Sequence, residues 1–143
     1  MGAAFTLGAF AVITDEAGRV LLCLRRDMPW WNLPGGGVER GELPNEAVVR
    51  EVREECGLQV AVERLLGFYL KSYSDDLVLT FRCRVVGGRL RPTEEASRCA
   101  YFPPDALPAN TLPKHVERIR DALSTRPKPL YRRQETPPVR RAS

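Results

Sequence analysis

Apolar positions run almost unbroken through residues 5–14, stop at Asp15-Glu16-Ala17-Gly18, and resume over residues 19–25. That pattern predicts two short β-strands joined by a turn. A loop carrying Trp30, Trp31 and Gly35-Gly36-Gly37 follows, and then the period changes. From Pro44 to Gly57, Val48, Val49, Val52 and Cys56 fall on one side of a helix and Glu51, Glu54 and Glu55 on the other. Pro44 suits the first helical turn and Gly57 is a natural stop. Residues 60–73 and 77–86 read as a strand pair turning at Ser74-Asp75-Asp76, and Gly87-Gly88 predicts a tight turn before Arg89. Residues 94–100 are polar, and Tyr101-Phe102 leads into a proline-rich loop. Residues 111–123 predict a final helix, with Val116, Ile119, Ala122 and Leu123 facing inward and His115 on its surface. Strands first, one helix in the middle and one at the end predict an α/β fold, a mixed sheet between helices.

The composition agrees with a single soluble domain: 143 residues, 43% hydrophobic and 28% charged. The net charge of +4 is unevenly placed. Residues 126–143 carry six basic side chains against Glu135 alone, so residues 1–125 are close to neutral. The expectation is a domain over 1–125 and a basic, proline-bearing, flexible tail over 126–143 that adds little to the core. Contact of that tail with nucleic acid is the less favoured reading. No apolar run approaches the roughly 18 residues that would span a bilayer, and the N-terminal residues lack a basic n-region, so no membrane role is expected. Cys23, Cys56, Cys83 and Cys99 are widely spaced without a Cys-x-x-Cys pair. They predict buried free thiols rather than a zinc or disulfide framework, and hence a reducing, cytoplasmic compartment.

The carboxylates change the picture most. Glu51, Glu54 and Glu55 share one helical stripe, where like charges repel by a few tenths of a kcal/mol per pair. A hard divalent cation, which prefers oxygen ligands, offsets that repulsion.

Gly36, Glu42, Arg50, Glu51, Glu54, Glu55 and Gly57, with aliphatic Val52 and Leu58 between and after them, resemble without a gap the Nudix box, the signature of the Nudix (MutT-like) hydrolases. The lead-in Trp31-Asn32-Leu33-Pro34-Gly35-Gly36-Gly37 is similar too, and the likeness extends over roughly residues 5–124. It implies the family's α/β/α sandwich with a mixed central sheet. It implies Mg²⁺, or Mn²⁺ in its place, held by Glu51, Glu54, Glu55 and the backbone carbonyl around Gly36. Arg50 would orient Glu42 and Glu54. A loop carboxylate, Glu95 in preference to Glu94, would activate water, although Arg98 stands where the family often has an acidic residue. For substrate, Arg25 with Arg26 would hold the distal phosphate, Gly37 would allow close backbone approach, and Trp31 and Tyr73 are candidate aromatic faces for a base.

The implied activity is cleavage of a pyrophosphate bond in a nucleoside diphosphate linked to another moiety X, with a nucleoside triphosphate the default substrate and a nucleoside monophosphate one product. A catalytically silent nucleotide-binding regulator and an RNA-directed pyrophosphohydrolase are the alternatives. Monomer and homodimer both remain open.

Overall fold

The computed structural model describes residues 2–124 and 129–135. A five-stranded mixed sheet runs in the order β4 (Gly35–Gly37), β1 (Thr6–Ile13), β6 (Asp76–Gly88), β5 (Leu58–Lys71) and β8 (Leu130–Gln134). β1 is parallel to β6 and antiparallel to β4, while β5 is antiparallel to β6 and parallel to β8. A second, antiparallel sheet runs β3 (Trp31–Asn32), β2 (Val20–Arg25), β7 (Ala96–Phe102). The helices are α1 (Pro44–Cys56) and α2 (Pro113–Ala122).

The period-2 alternation of the first strands makes the sandwich. Ala9, Ala11 and Ile13 of β1, with Leu21 and Cys23 of β2, face Val48, Val52 and Cys56 of α1. The intervening Val12, Val20 and Leu22 face Ile119 and Ala122 of α2. These two strands, one from each sheet, thus contribute to both cores, which is why their residues are almost uniformly apolar.

α1 begins and ends on the predicted residues. Pro44 opens it, Glu46 accepts the Leu43 backbone N–H at 2.9 Å, and Gly57 closes it at φ 83°. Such a left-handed close suits a residue without Cβ.

Several expectations are corrected. Gly87-Gly88 makes no turn: both lie within β6, opposite Gln59 and Leu58. The polar stretch 94–100 contains most of β7, a strand made by its pairing with β2 rather than by its own apolar period. The buried face of α2 is His115, Arg118, Ile119 and Ala122, with Leu123 exposed. His115 is therefore not a surface residue. Its Nδ1 accepts the Leu33 N–H at 3.0 Å, and burial beside Arg118 pushes its pKa well below 6.5.

Part of the expected flexible tail is also ordered. Residues 130–134 form β8, and Gln134 is buried with its Oε1 accepting from Arg118 Nε at 3.1 Å and Nη2 at 3.0 Å. Arg118 is fully buried and draws this glutamine inward, because a desolvated guanidinium needs acceptors. The remainder of that segment, apart from residues 129 and 135, lies outside the described residues. Among the described residues no helix is long and apolar enough to cross a membrane.

Candidate active site

The exposed side of α1 is organised by one guanidinium. Arg50 donates from Nε and Nη2 to the two carboxylate oxygens of Glu42 at 2.8 and 2.9 Å. Its Nη1 donates to Glu51 at 3.0 Å and Glu54 at 3.1 Å, and Nη2 also donates to the Gly37 carbonyl at 3.1 Å. The planar fork of arginine supplies such divergent, charge-assisted bonds. Arg50 thus bonds Glu54 and Glu42 together, and ties Glu42 to the loop at Gly37. The Arg50 bonds, with the Glu39 N–H, hold the Glu42 carboxyl down at about 2. Glu39 itself is at the rim, 3.7 Å from Arg50.

The three predicted glutamates occupy different environments. Glu51 is partly buried, which raises its pKa against the opposing pull of Arg50. Glu54 is exposed. Glu55 is only 5% exposed, and its Oε2 accepts the Gly35 N–H at 3.0 Å. Burial lifts its carboxyl to about 8 in spite of that bond.

Carboxylate oxygens of Glu51, Glu54 and Glu95 converge to within 4.8 Å of one another. Glu55 stands outside this trio and instead lines the adjoining cavity with Glu94 and Glu95. Gly36 sits against the cluster, where an added Cβ would stand 2.6 Å from Glu51 Oε2. A side chain there would push the Glu51 carboxylate out of its place.

The cavity encloses about 450 Å³ and is lined by Phe10, Arg25, Arg26 and Asn32 along with Gly36 and the glutamates. A broader groove between Glu54, Arg26, Arg91 and Glu95 continues outward from it. Arg25 is in place at the cavity but forms a two-bond pair with Asp27, at 2.8 and 2.6 Å.

The predicted aromatic faces are elsewhere. Trp31 is buried in the second core, edge-on to Phe102 at 4.9 Å between ring centroids, so it offers no face to a base. Its backbone is held on both sides by Asn110 and Leu112, which is what the pattern of a buried strand end requires. Tyr73 is exposed beside Lys114, off the cavity lining. The aromatic residue at the cavity is Phe10, packed edge-on against His115.

Three further residues matter that the sequence reading passed over. Asn32 lines the cavity, and its buried Oδ1 has no hydrogen-bond partner among the described residues. Phe10 reads in the sequence only as part of a strand. Thr93 ties the Glu94-Glu95 loop to α1: its hydroxyl donates to the Glu55 carbonyl at 2.8 Å and accepts the Glu95 and Ala96 N–H groups. Arg26 Nε adds a bond to the Thr93 carbonyl at 2.7 Å. Asn32 had a signal, its place in the lead-in; a threonine in a polar loop had none.

The NUDIX domain family model matches residues 4–124. A MutT-like protein of Streptomyces ambofaciens is 37% identical over 112 residues, 78% of this chain and 73% of its own length. An ADP-ribose pyrophosphatase of Methanocaldococcus jannaschii is 37% identical over 103 residues, covering 67% of this chain and 61% of that protein. Among solved structures, an ADP-ribose pyrophosphatase from Streptococcus suis superposes with a TM-score of 0.74 at 26% identity, covering 92% of this chain and 100% of that one.

Proposed function

Because the chain belongs to the NUDIX domain family and is thereby a pyrophosphohydrolase acting on nucleotide pyrophosphate bonds, we propose that it cleaves a nucleoside diphosphate linked to X with Mg²⁺ as cofactor, a nucleoside triphosphate being the default substrate. The observation that supports this is the convergence of Glu51, Glu54 and Glu95 beside Arg50 and the side-chain-free Gly36.

This donor set fits a hard divalent cation: three carboxylates, no sulfur or nitrogen, and a glycine where a side chain would fill the space. Glu51 and Glu54 would hold it, with Glu95 beside them, Glu55 in the lining of the adjoining cavity and Gly36 against the Glu51 carboxylate. When bound, the cation neutralises the charge of the non-ester phosphate oxygens. The protein does the rest. Arg50 holds Glu51 and Glu54 in register. Arg26, at the junction of cavity and groove, and Arg25 offer positive charge to the distal phosphate. The orphan Asn32 Oδ1 is an acceptor for an N–H of the base, with Phe10 on the same wall. Glu95 takes a proton from the attacking water as its oxygen bonds to phosphorus; the phosphoanhydride P–O bond breaks, and the electron pair leaves with the second phosphate. The products are a nucleoside monophosphate and either pyrophosphate or X-phosphate.

A panel of nucleoside triphosphates, ADP-ribose and 5′-triphosphorylated RNA, assayed for phosphate and pyrophosphate with Mg²⁺ or Mn²⁺, tests the reading. One small nucleotide should turn over, and Glu54→Gln should reduce kcat by about 10²-fold or more. Undiminished turnover in Glu54→Gln, or cleavage of RNA alone, would overturn it.

A further inference from the structure

We propose that Cys23, Cys56 and Cys99 form a binding site for a soft, thiophilic monovalent cation, with Cu(I) the ion whose ligand preference they match. The three come from separate elements, β2, α1 and β7, which is why their spacing in sequence conceals them. In the fold their sulfur atoms all lie within 4.8 Å of one another, and Cys23 and Cys99, directly opposed in the β2–β7 register, bring theirs to 3.0 Å. Three sulfurs around a metal at about 2.3 Å would stand roughly 4 Å apart, a distance these side chains reach with small changes of rotamer. All four cysteines are free thiols, and Cys83, although buried, is not in the cluster.

The donor chemistry selects the ion. Thiolates favour soft metals, and no fourth ligating His, Cys, Asp or Glu joins the trio among the described residues. Structural Zn²⁺ asks for four ligands, whereas Cu(I), with its closed d¹⁰ shell, is content with three sulfurs. The surroundings are suited to a cation. Cys56 is the last residue of α1, where backbone carbonyls face outward: its Sγ lies 3.1 Å from the Val52 oxygen, and Cys99 Sγ 3.8 Å from the Glu55 oxygen. Cys99 is only partly buried and gives the ion and the released protons a route to solvent.

The test uses the full reduced chain under anaerobic conditions, titrated with Cu(I) against a colorimetric chelator and, separately, with Zn(II). One Cu(I) per chain by native mass spectrometry, thiolate-to-copper absorption in the ultraviolet, and binding tighter than that of Zn(II) are expected. Cys99→Ala, at a half-buried position, should lower affinity by more than the roughly 10–100-fold that loss of an outer-shell partner costs. Cys83→Ala should bind as the wild type does, and far-ultraviolet circular dichroism checks that both variants fold. Copper should also slow alkylation of Cys99 in the native wild-type protein, a readout independent of any variant. No chelator-competitive binding, equal loss in Cys83→Ala, tighter binding of Zn(II), or formation only of a Cys23–Cys99 disulfide would each overturn the assignment.

Discussion

At the scale of single residues, Glu55 shows how neighbours on one helical stripe diverge. Its spacing from Glu51 and Glu54 was legible in the sequence as a shared face. Its burial was not, because the partner is β4, twenty residues away, which offers it the Gly35 N–H. That burial has a measurable sign. The carboxyl stands at about 8 in the folded chain against 4.5 for the ordinary group, so unfolding releases a proton between those values and stability falls as pH rises. His115 acts oppositely and lower down. It is neutral in the fold and takes up a proton on unfolding below 6.5, so its effect rises with pH and ends there. Between pH 6.5 and 8 the metal-free protein should therefore lose stability relative to Glu55→Gln, by at most about 1.4 kcal/mol per pH unit. Thermal melts of both proteins in chelator across that range check it; parallel curves would remove Glu55 as the cause.

Among elements, α1 and its loop behave as one unit because Arg50 bonds to both. Arg50→Lys keeps the charge but loses the fork, so Glu42 and the Gly37 carbonyl can no longer be held together with Glu51 and Glu54. We expect kcat to fall by about 10²-fold in both Arg50→Lys and Arg50→Ala, with most of the loss already present in the lysine variant. Wild-type turnover in Arg50→Lys would show that charge alone suffices. α1 was readable to the residue, since the opening proline, the period and the glycine stop all agree within it. β7 was not, because its identity comes from β2, its partner across the sheet. The inward face of α2 was misread for a related reason. Its buried positions include a histidine and an arginine, and their acceptable burial depends on Leu33 and Gln134, neither of which is local.

For the whole molecule, the decisive contact joins α2 to the edge strand β8. Gln134 on the edge strand β8 satisfies Arg118, which lies between the rings of Phe10 and Tyr69 at 5.3 and 5.6 Å. Removing the amide leaves a buried cation short of an acceptor. Gln134→Ala should cost about 1–3 kcal/mol, and truncation after residue 124 should cost more, since β5 also loses its parallel neighbour. A melting temperature unchanged by the truncation would mean that β8 contributes nothing to the fold. Composition marked this segment as a tail, because five residues of which three are polar carry no apolar period of their own. The same contact sets a clock on synthesis. Arg118 is added to the chain 16 residues before its glutamine, an interval on the order of 1–3 s at ordinary elongation rates. Docking of α2 before that would bury the guanidinium short of its acceptor, and without α2 the Leu33 N–H lacks its histidine and the wall carrying Phe10 lacks its backing. The glutamates of α1 are made early, yet their site is finished late. A purified chain truncated after residue 124 should thus be cut by protease within α2, whereas the full-length protein resists.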